Sequence, residues 1–148
     1  MADLTRDSQP SVDELICFAL YSANHAMGRA YHPHLAPLGL TYPQYLVLTA
    51  LWRKDGLTVG ELCQTLHSDT GTVSPVLRRL EKQGHVERKR STSDERQVHV
   101  LLTDIGRKLE AQAINITRCI ISDTGLAMDD LDQIITKLHA LRDNLSGN

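Results

Sequence analysis

The chain has 148 residues, 16 of them Lys or Arg and 18 Asp or Glu, for a formal net charge of −2; that length suits one domain with a real hydrophobic core. Spread evenly, this charge would disfavour a polyanionic partner. Positions 78–96, however, hold seven basic residues against four acidic ones, net +3, leaving −5 elsewhere, and local sign governs a surface that meets phosphates.

Three cysteines are too few and wrongly spaced for a disulfide framework or a metal site. No apolar run is long enough to span a bilayer, and residues 1–10 lack the basic and apolar regions of a secretory signal. The expected setting is a reducing cytoplasm, without membrane contact, metal or cofactor.

Taken in chain order, Ser11 and Glu14 form a capping box that opens a long first helix, running to about Pro37 with Gly39 beyond it. Thr41 caps a second helix, with Pro43 tolerated in its first turn, that carries Leu46, Val47, Leu51 and Trp52 to a stop at Gly56. Thr58 and Glu61 make another capping box and begin a short third helix ending near Leu66. Asp69 caps a fourth, with apolar positions Val73, Val76, Leu77 and Leu80 and a terminating Gly84. A basic strand at 86–90, a polar loop at 91–96 and an alternating strand at 98–103 then read as a hairpin. Thr103 caps a fifth helix to roughly Asp123, Gly125 interrupts, and Asp129 caps a sixth striped with Leu131, Ile134, Ile135, Leu138, Leu141 and Leu145.

No repeat or linker divides the chain, so residues 1–148 form a single unit, mainly α with a small β-hairpin. The third and fourth helices make a helix-turn-helix with the fourth as reader, and the hairpin stands beside it as a wing: a winged helix-turn-helix over about 57–103. The expected partner is double-stranded operator DNA. Asp69, Thr70, Thr72 and Ser74 are short polar residues that let the start of the reading helix approach bases and phosphates. Pro75 pins that start, and Arg78 and Arg79 point away from the apolar stripe towards backbone or guanine edges. In the wing, Arg90 is a candidate phosphate contact, as are Arg88 and Lys89. At its tip Asp94 is placed to hold the Arg96 guanidinium for a narrow minor groove. The apolar ends, about 11–39 and 104–146, need more partner surface than one such domain supplies, which predicts a two-fold homodimer. Its paired readers would meet major-groove faces about 34 Å apart.

Residues 57–103, with Asp94, Glu95 and Arg96 and the run at 100–103, resemble the winged helix of MarR-family regulators. That resemblance implies a homodimeric cytoplasmic transcription factor, usually a repressor released by a small signal. Cys17, in an apolar stretch of the first helix, suggests the signal. A free thiol is mostly protonated at neutral pH, so a peroxide-reactive cysteine needs donors to its anion. Tyr21 is one turn away. Tyr31 lies about 21 Å along a straight helix at about 1.5 Å per residue, too far for its own Cys17 but within reach of a partner's in an antiparallel pairing.

Cys17, Tyr21, Tyr31 and the segment 40–46 together resemble the organic hydroperoxide resistance regulators, a branch of that family. This implies that Cys17 is the peroxide-reactive residue and that Tyr31 and Tyr42, with Tyr21 as a softer match, hydrogen-bond it. Some such regulators carry a resolving cysteine in the fifth helix; Cys119 matches that helix as a resolving residue or a buried spectator. Cys63 reads as core. The competing readings are a MarR-type repressor of a small phenolic ligand, a cysteine thiol peroxidase, and a metal sensor using His25, His32 and His34. The last is weak because helical residues two apart point to different faces.

Overall fold

The computed structural model describes residues 10–147, so residues 1–9 of the stretch read for a targeting signal lie outside the described residues. The Ser11 capping box does not open the first helix. Its Glu14 carboxylate accepts from the Ser11 N–H at 2.9 Å around a separate 3-10 turn, Val12–Glu14, and extended Leu15 breaks the ladder before α1 (Ile16–Leu35) begins. Cys17 therefore sits in the first turn of α1. Beyond α1, a second 3-10 turn, Ala36–Leu38, closes on Gly39 at φ 68°, in the left-handed region open to glycine.

The predicted caps do start the next three helices. Thr41 and Gln44 bond reciprocally at α2 (Tyr42–Arg53), Thr58 and Glu61 do so at α3 (Val59–Thr65), and Asp69 accepts from the Thr72 N–H at α4 (Thr70–Lys82). The hairpin pairs β1 (Val86–Arg90) with β2 (Val98–Leu102) antiparallel, Val86 opposite Leu102 and Arg90 opposite Val98. On its other edge β2 donates Val100 N–H to the Leu57 carbonyl at 2.8 Å and bridges to Thr58 through His99. That ties the wing to the start of α3.

The predicted fifth helix is two. Its ladder is interrupted at Leu109, between α5 (Asp104–Lys108) and α6 (Glu110–Asp123). α5 is pulled against the turn before β1, whereas α6 packs on α1 and α2, and one straight ladder does not serve both anchorages. The last helix, α7 (Met128–Leu145), starts from Ala127 rather than Asp129. Asp129 lies in its first turn with Asp130, where carboxylates complement the helix dipole.

Leu48, Leu62, Leu77, Leu80 and Val100 are fully buried and centre the core between α2, the helix-turn-helix and the wing. Each such side chain stabilises by roughly 1.5–3 kcal/mol through its burial. The predicted stripe of α7 finds no such place: no residue of α7 is buried, and Ile134 and Ile135 are 42% and 49% exposed. α1 likewise leaves Ile16, Leu20 and Met27 exposed. Among the described residues no helix is long and apolar enough to cross a membrane.

Candidate functional site

α4 meets solvent along the face predicted for it. Asp69 is occupied as the cap, one oxygen accepting from the Thr72 N–H at 2.9 Å and the other 3.2 Å from the Thr72 hydroxyl. Thr70 and Ser74 instead line a groove of about 480 Å³ between helix and wing, with Thr58, Arg96 and Gln97 on its other walls. Pro75, sixth in α4, removes the intrahelical partner of the Gly71 carbonyl. Arg78 and Arg79 are exposed, on the side of α4 away from buried Val73, Leu77 and Leu80.

The wing's cations divide into two sets. Arg88 donates to the Glu81 carboxylate from Nε at 3.0 Å and Nη2 at 2.8 Å, and its backbone N–H reaches the same group. These bonds hold Glu81 below the usual carboxylate range and brace β1 against α4. Lys89 pairs with Glu87 at 2.8 Å. Arg90 and Arg96 are exposed and make no ion pair among the described residues. Asp94 does not hold the Arg96 guanidinium as expected; its carboxylate accepts from the Arg96 backbone N–H at 3.0 Å. Residues two apart in a tight turn bring side chain to backbone more readily than side chain to side chain. The tip is shaped by that bond, and the guanidinium is left to the groove.

Cys17 is exposed, and among the described residues its sulfur accepts no hydrogen bond within its own chain. It lies at the end of α1 where unpaired N–H groups attract negative charge. Tyr21 packs on His25 with ring centroids 4.3 Å apart and is 60% exposed. At the far end of α1, Tyr31 packs on Tyr42 and Tyr45 of α2, at 4.9 and 5.3 Å. Burial, followed by Tyr45 and Tyr42, pushes Tyr31 up to about 12, and burial raises Tyr42 as well. Both hydroxyls therefore keep their protons at neutral pH and remain donors.

The third member of the cluster, Tyr45, hydrogen-bonds Thr117 of α6 at 2.9 Å. Tyr45 is buried in the core. Cys119 is exposed on α6 between buried Ile116 and Ile120. Cys63 is buried, its sulfur 3.9 Å from the Thr70 hydroxyl. No group of three or more potential ligands gathers for a metal among the described residues.

Two polar anchors had no sequence signal, because their partners are far apart in the chain. Asp55 accepts from the Gly56 and Leu102 N–H groups at 2.9 and 2.8 Å and pairs with Arg107. Gln44 of α2 donates to Gln83 at the end of α4.

Residues 29–113 match the family model described as transcriptional regulator SarA/Rot. The chain is 45% identical to the HTH-type transcriptional regulator TtmR of Methylorubrum extorquens, over 98% of this chain and 74% of that one. It is 39% identical to the organic hydroperoxide resistance transcriptional regulator of Bacillus subtilis, over 90% and 91%. Among solved structures it is similar to AbfR of Staphylococcus epidermidis. The reduced, DNA-bound form of AbfR is 31% identical over 88% of this chain and 90% of that one, with a TM-score of 0.74. Its disulfide form is 29% identical over 85% and 88%, at 0.65.

Proposed function

The chain belongs to the MarR family of winged-helix transcriptional regulators, in its organic hydroperoxide resistance branch, and from that membership we propose that it is a cytoplasmic homodimeric repressor that leaves its operator when organic hydroperoxides oxidise Cys17. The observation that carries the reading is the separation of thiol and donors along one helix. Cys17 lies in the first turn of α1 and the protonated Tyr31–Tyr42 pair at its far end, about 21 Å away at about 1.5 Å per residue. Two α1 helices running antiparallel bring each thiol to the other subunit's tyrosines. The exposed apolar faces of α1 and α7 supply the surface that such a pairing buries.

In that arrangement the Cys17 thiolate attacks the terminal peroxide oxygen. An S–O bond forms as the O–O bond breaks, and the departing alkoxide takes a proton and leaves as alcohol, giving a sulfenic acid. The Tyr31 and Tyr42 hydroxyls donate to the thiolate beforehand. Condensation with the Cys119 thiol forms a disulfide and releases water; without an external thiol reductant to restore Cys17, each chain reacts once, as a stoichiometric sensor does. Reading is assigned to Thr70, Thr72, Ser74, Arg78 and Arg79 on α4, with Asp69 as its cap, and to Arg90, Arg96 and Asp94 in the wing.

A groove of about 280 Å³ beside Tyr45, Trp52, Arg53 and Thr117 favours one second reading, repression relieved by a small phenolic ligand. The test separates the two. Cys17→Ser keeps shape and polarity while removing the oxidation ladder; it is expected to bind operator and to stay bound under an organic hydroperoxide. Normal peroxide-induced release by this variant refutes the sensing role. Release by phenolic acids with Cys17 still reduced establishes the second reading.

A further inference from the structure

The buried Gln44 side chain has every polar atom engaged. Only 2% exposed, it accepts from the Thr41 N–H through Oε1 at 2.9 Å and donates from Nε2 to Gln83 Oε1 at 2.9 Å. Gln83 in turn donates from its own Nε2 to the Gly39 carbonyl at 2.9 Å. Two amides thus close a loop between the turn that launches α2 and the residue that ends α4. Other packing of α2 on α4 draws on buried apolar residues, Val47, Leu48 and Leu51 on one and Val73, Leu77 and Leu80 on the other. Apolar attraction is non-directional. The amide pair is directional, and displacing Gln83 strands the buried Gln44 donor.

What lies at the other end of this loop matters. Tyr42 is the first residue of α2 and Tyr45 the fourth, so Gln44 shares the first turn of the helix that carries the two tyrosines packed on Tyr31. We propose that the Gln44–Gln83 pair is the positioning link through which the state of the Tyr31–Tyr42–Tyr45 cluster is passed to the reading helix. This inference rests on the peroxide-sensing reading above. When oxidation of the partner's Cys17 draws a tyrosine hydroxyl away from its reduced position, the start of α2 shifts. Gln44 then carries Gln83, and with it the end of α4, out of the register that fits successive major grooves. The close-packed apolar core moves with them, since tightly packed side chains transmit a displacement rather than absorb it.

Gln83 is exposed, which makes it the place to cut the link. Gln83→Met removes both of its side-chain bonds but leaves the Gln44 cap on Thr41 intact. Gln83→Glu keeps an acceptor for Gln44 and loses the donor to Gly39. The full cycle adds Gln44→Met and the double variant. Three quantities are read on the full-length protein: the rate of Cys17 thiol loss under cumene hydroperoxide, and the affinities of reduced and oxidised protein for a duplex selected in vitro against the reduced form.

For Gln83→Met, thiol loss and reduced-state affinity are expected to stay within about twofold of wild type, as for a change off both sites. The ratio of reduced to oxidised affinity is expected to fall by about 2- to 30-fold. Gln44→Met is expected to add nothing further in the double variant; if it does not fold, the two Gln83 variants decide. A ratio unchanged in Gln83→Met overturns the link, as does a fall explained wholly by weaker binding of the reduced form. Wild type that holds its duplex after Cys17 is oxidised overturns the sensing reading and this link together, whereas wild type and Gln83→Met releasing equally overturns the link alone.

Discussion

Gly106→Ala pits two effects of opposite sign against each other. Gly106 is inside α5, where replacing glycine with alanine ordinarily stabilises by about 1 kcal/mol through helix propensity. Here a Cβ would stand 2.1 Å from the His85 carbonyl oxygen and 3.3 Å from Leu102 Cδ2. The first contact is with backbone, so no rotamer change relieves it and α5 must retreat from the turn between α4 and β1. Retreat strains the Trp52 indole N–H bond to the Gly106 carbonyl at 2.9 Å and the Thr103 N–H bond to the His85 carbonyl at 3.1 Å. Overpacking costs about 1–3 kcal/mol and two weakened hydrogen bonds about 1 kcal/mol each. After the propensity gain, roughly 2–4 kcal/mol of destabilisation remains. For a chain of this size that lowers Tm by roughly 4–16 °C, at about 2–4 °C per kcal/mol. Differential scanning calorimetry on reduced protein with DTT reads it directly, and operator affinity is expected to fall with it because the wing is seated on the same turn. An unchanged or raised Tm would show that α5 and the turn are not in the contact described, and that the wing is not anchored there.

Arg96→Ala is expected to weaken operator binding by about 1–3 kcal/mol if the guanidinium enters a groove, and to flatten the dependence of log affinity on log salt by about one unit; equal affinity at every salt concentration rules out a wing contact. Tyr31→Phe is expected to slow oxidation of Cys17 by removing a donor to its thiolate. In a heterodimer with the substitution on one subunit, the slow thiol should belong to the other chain, as mass spectrometry of isotopically distinct subunits would reveal; slowing in the mutated chain excludes the antiparallel pairing. Wild type treated with peroxide alone is expected to give a disulfide-linked dimer on non-reducing gels. Cys119→Ser should abolish that species while Cys17 still oxidises, and a monomeric oxidised wild type excludes an intersubunit bond.

Much of this molecule was determined locally. Thr41, Thr58, Asp69 and Thr103 cap the helices they were expected to cap, because a cap bonds backbone groups two or three residues away and needs nothing from the rest of the chain. The alternation of β2 and the outward face of α4 follow from periodicities of two and 3.6. The family resemblance rests on the same local patterns together with Cys17 and its tyrosines. Local rules were also sufficient to show that Tyr31 is out of reach of its own Cys17, since that is a matter of rise per residue.

Tertiary structure decided whatever joins distant positions. The break at Leu109 has no helical signal, and the close approach of Gly106 to the His85 carbonyl joins residues 21 apart. Arg88 looked like a free wing cation until β1 lay against α4 and gave it Glu81. Asp94 keeps its bond within the tip, but the groove into which Arg96 faces exists only once helix and wing are side by side. Gln44 and Gln83 are both unremarkable polar residues in sequence; only packing buries the first and delivers the second to it. The apolar stripes of α1 and α7 were legible as stripes, yet that they stay uncovered in the single chain follows from the three-dimensional course of the helices, because periodicity says which face is apolar and not what meets it.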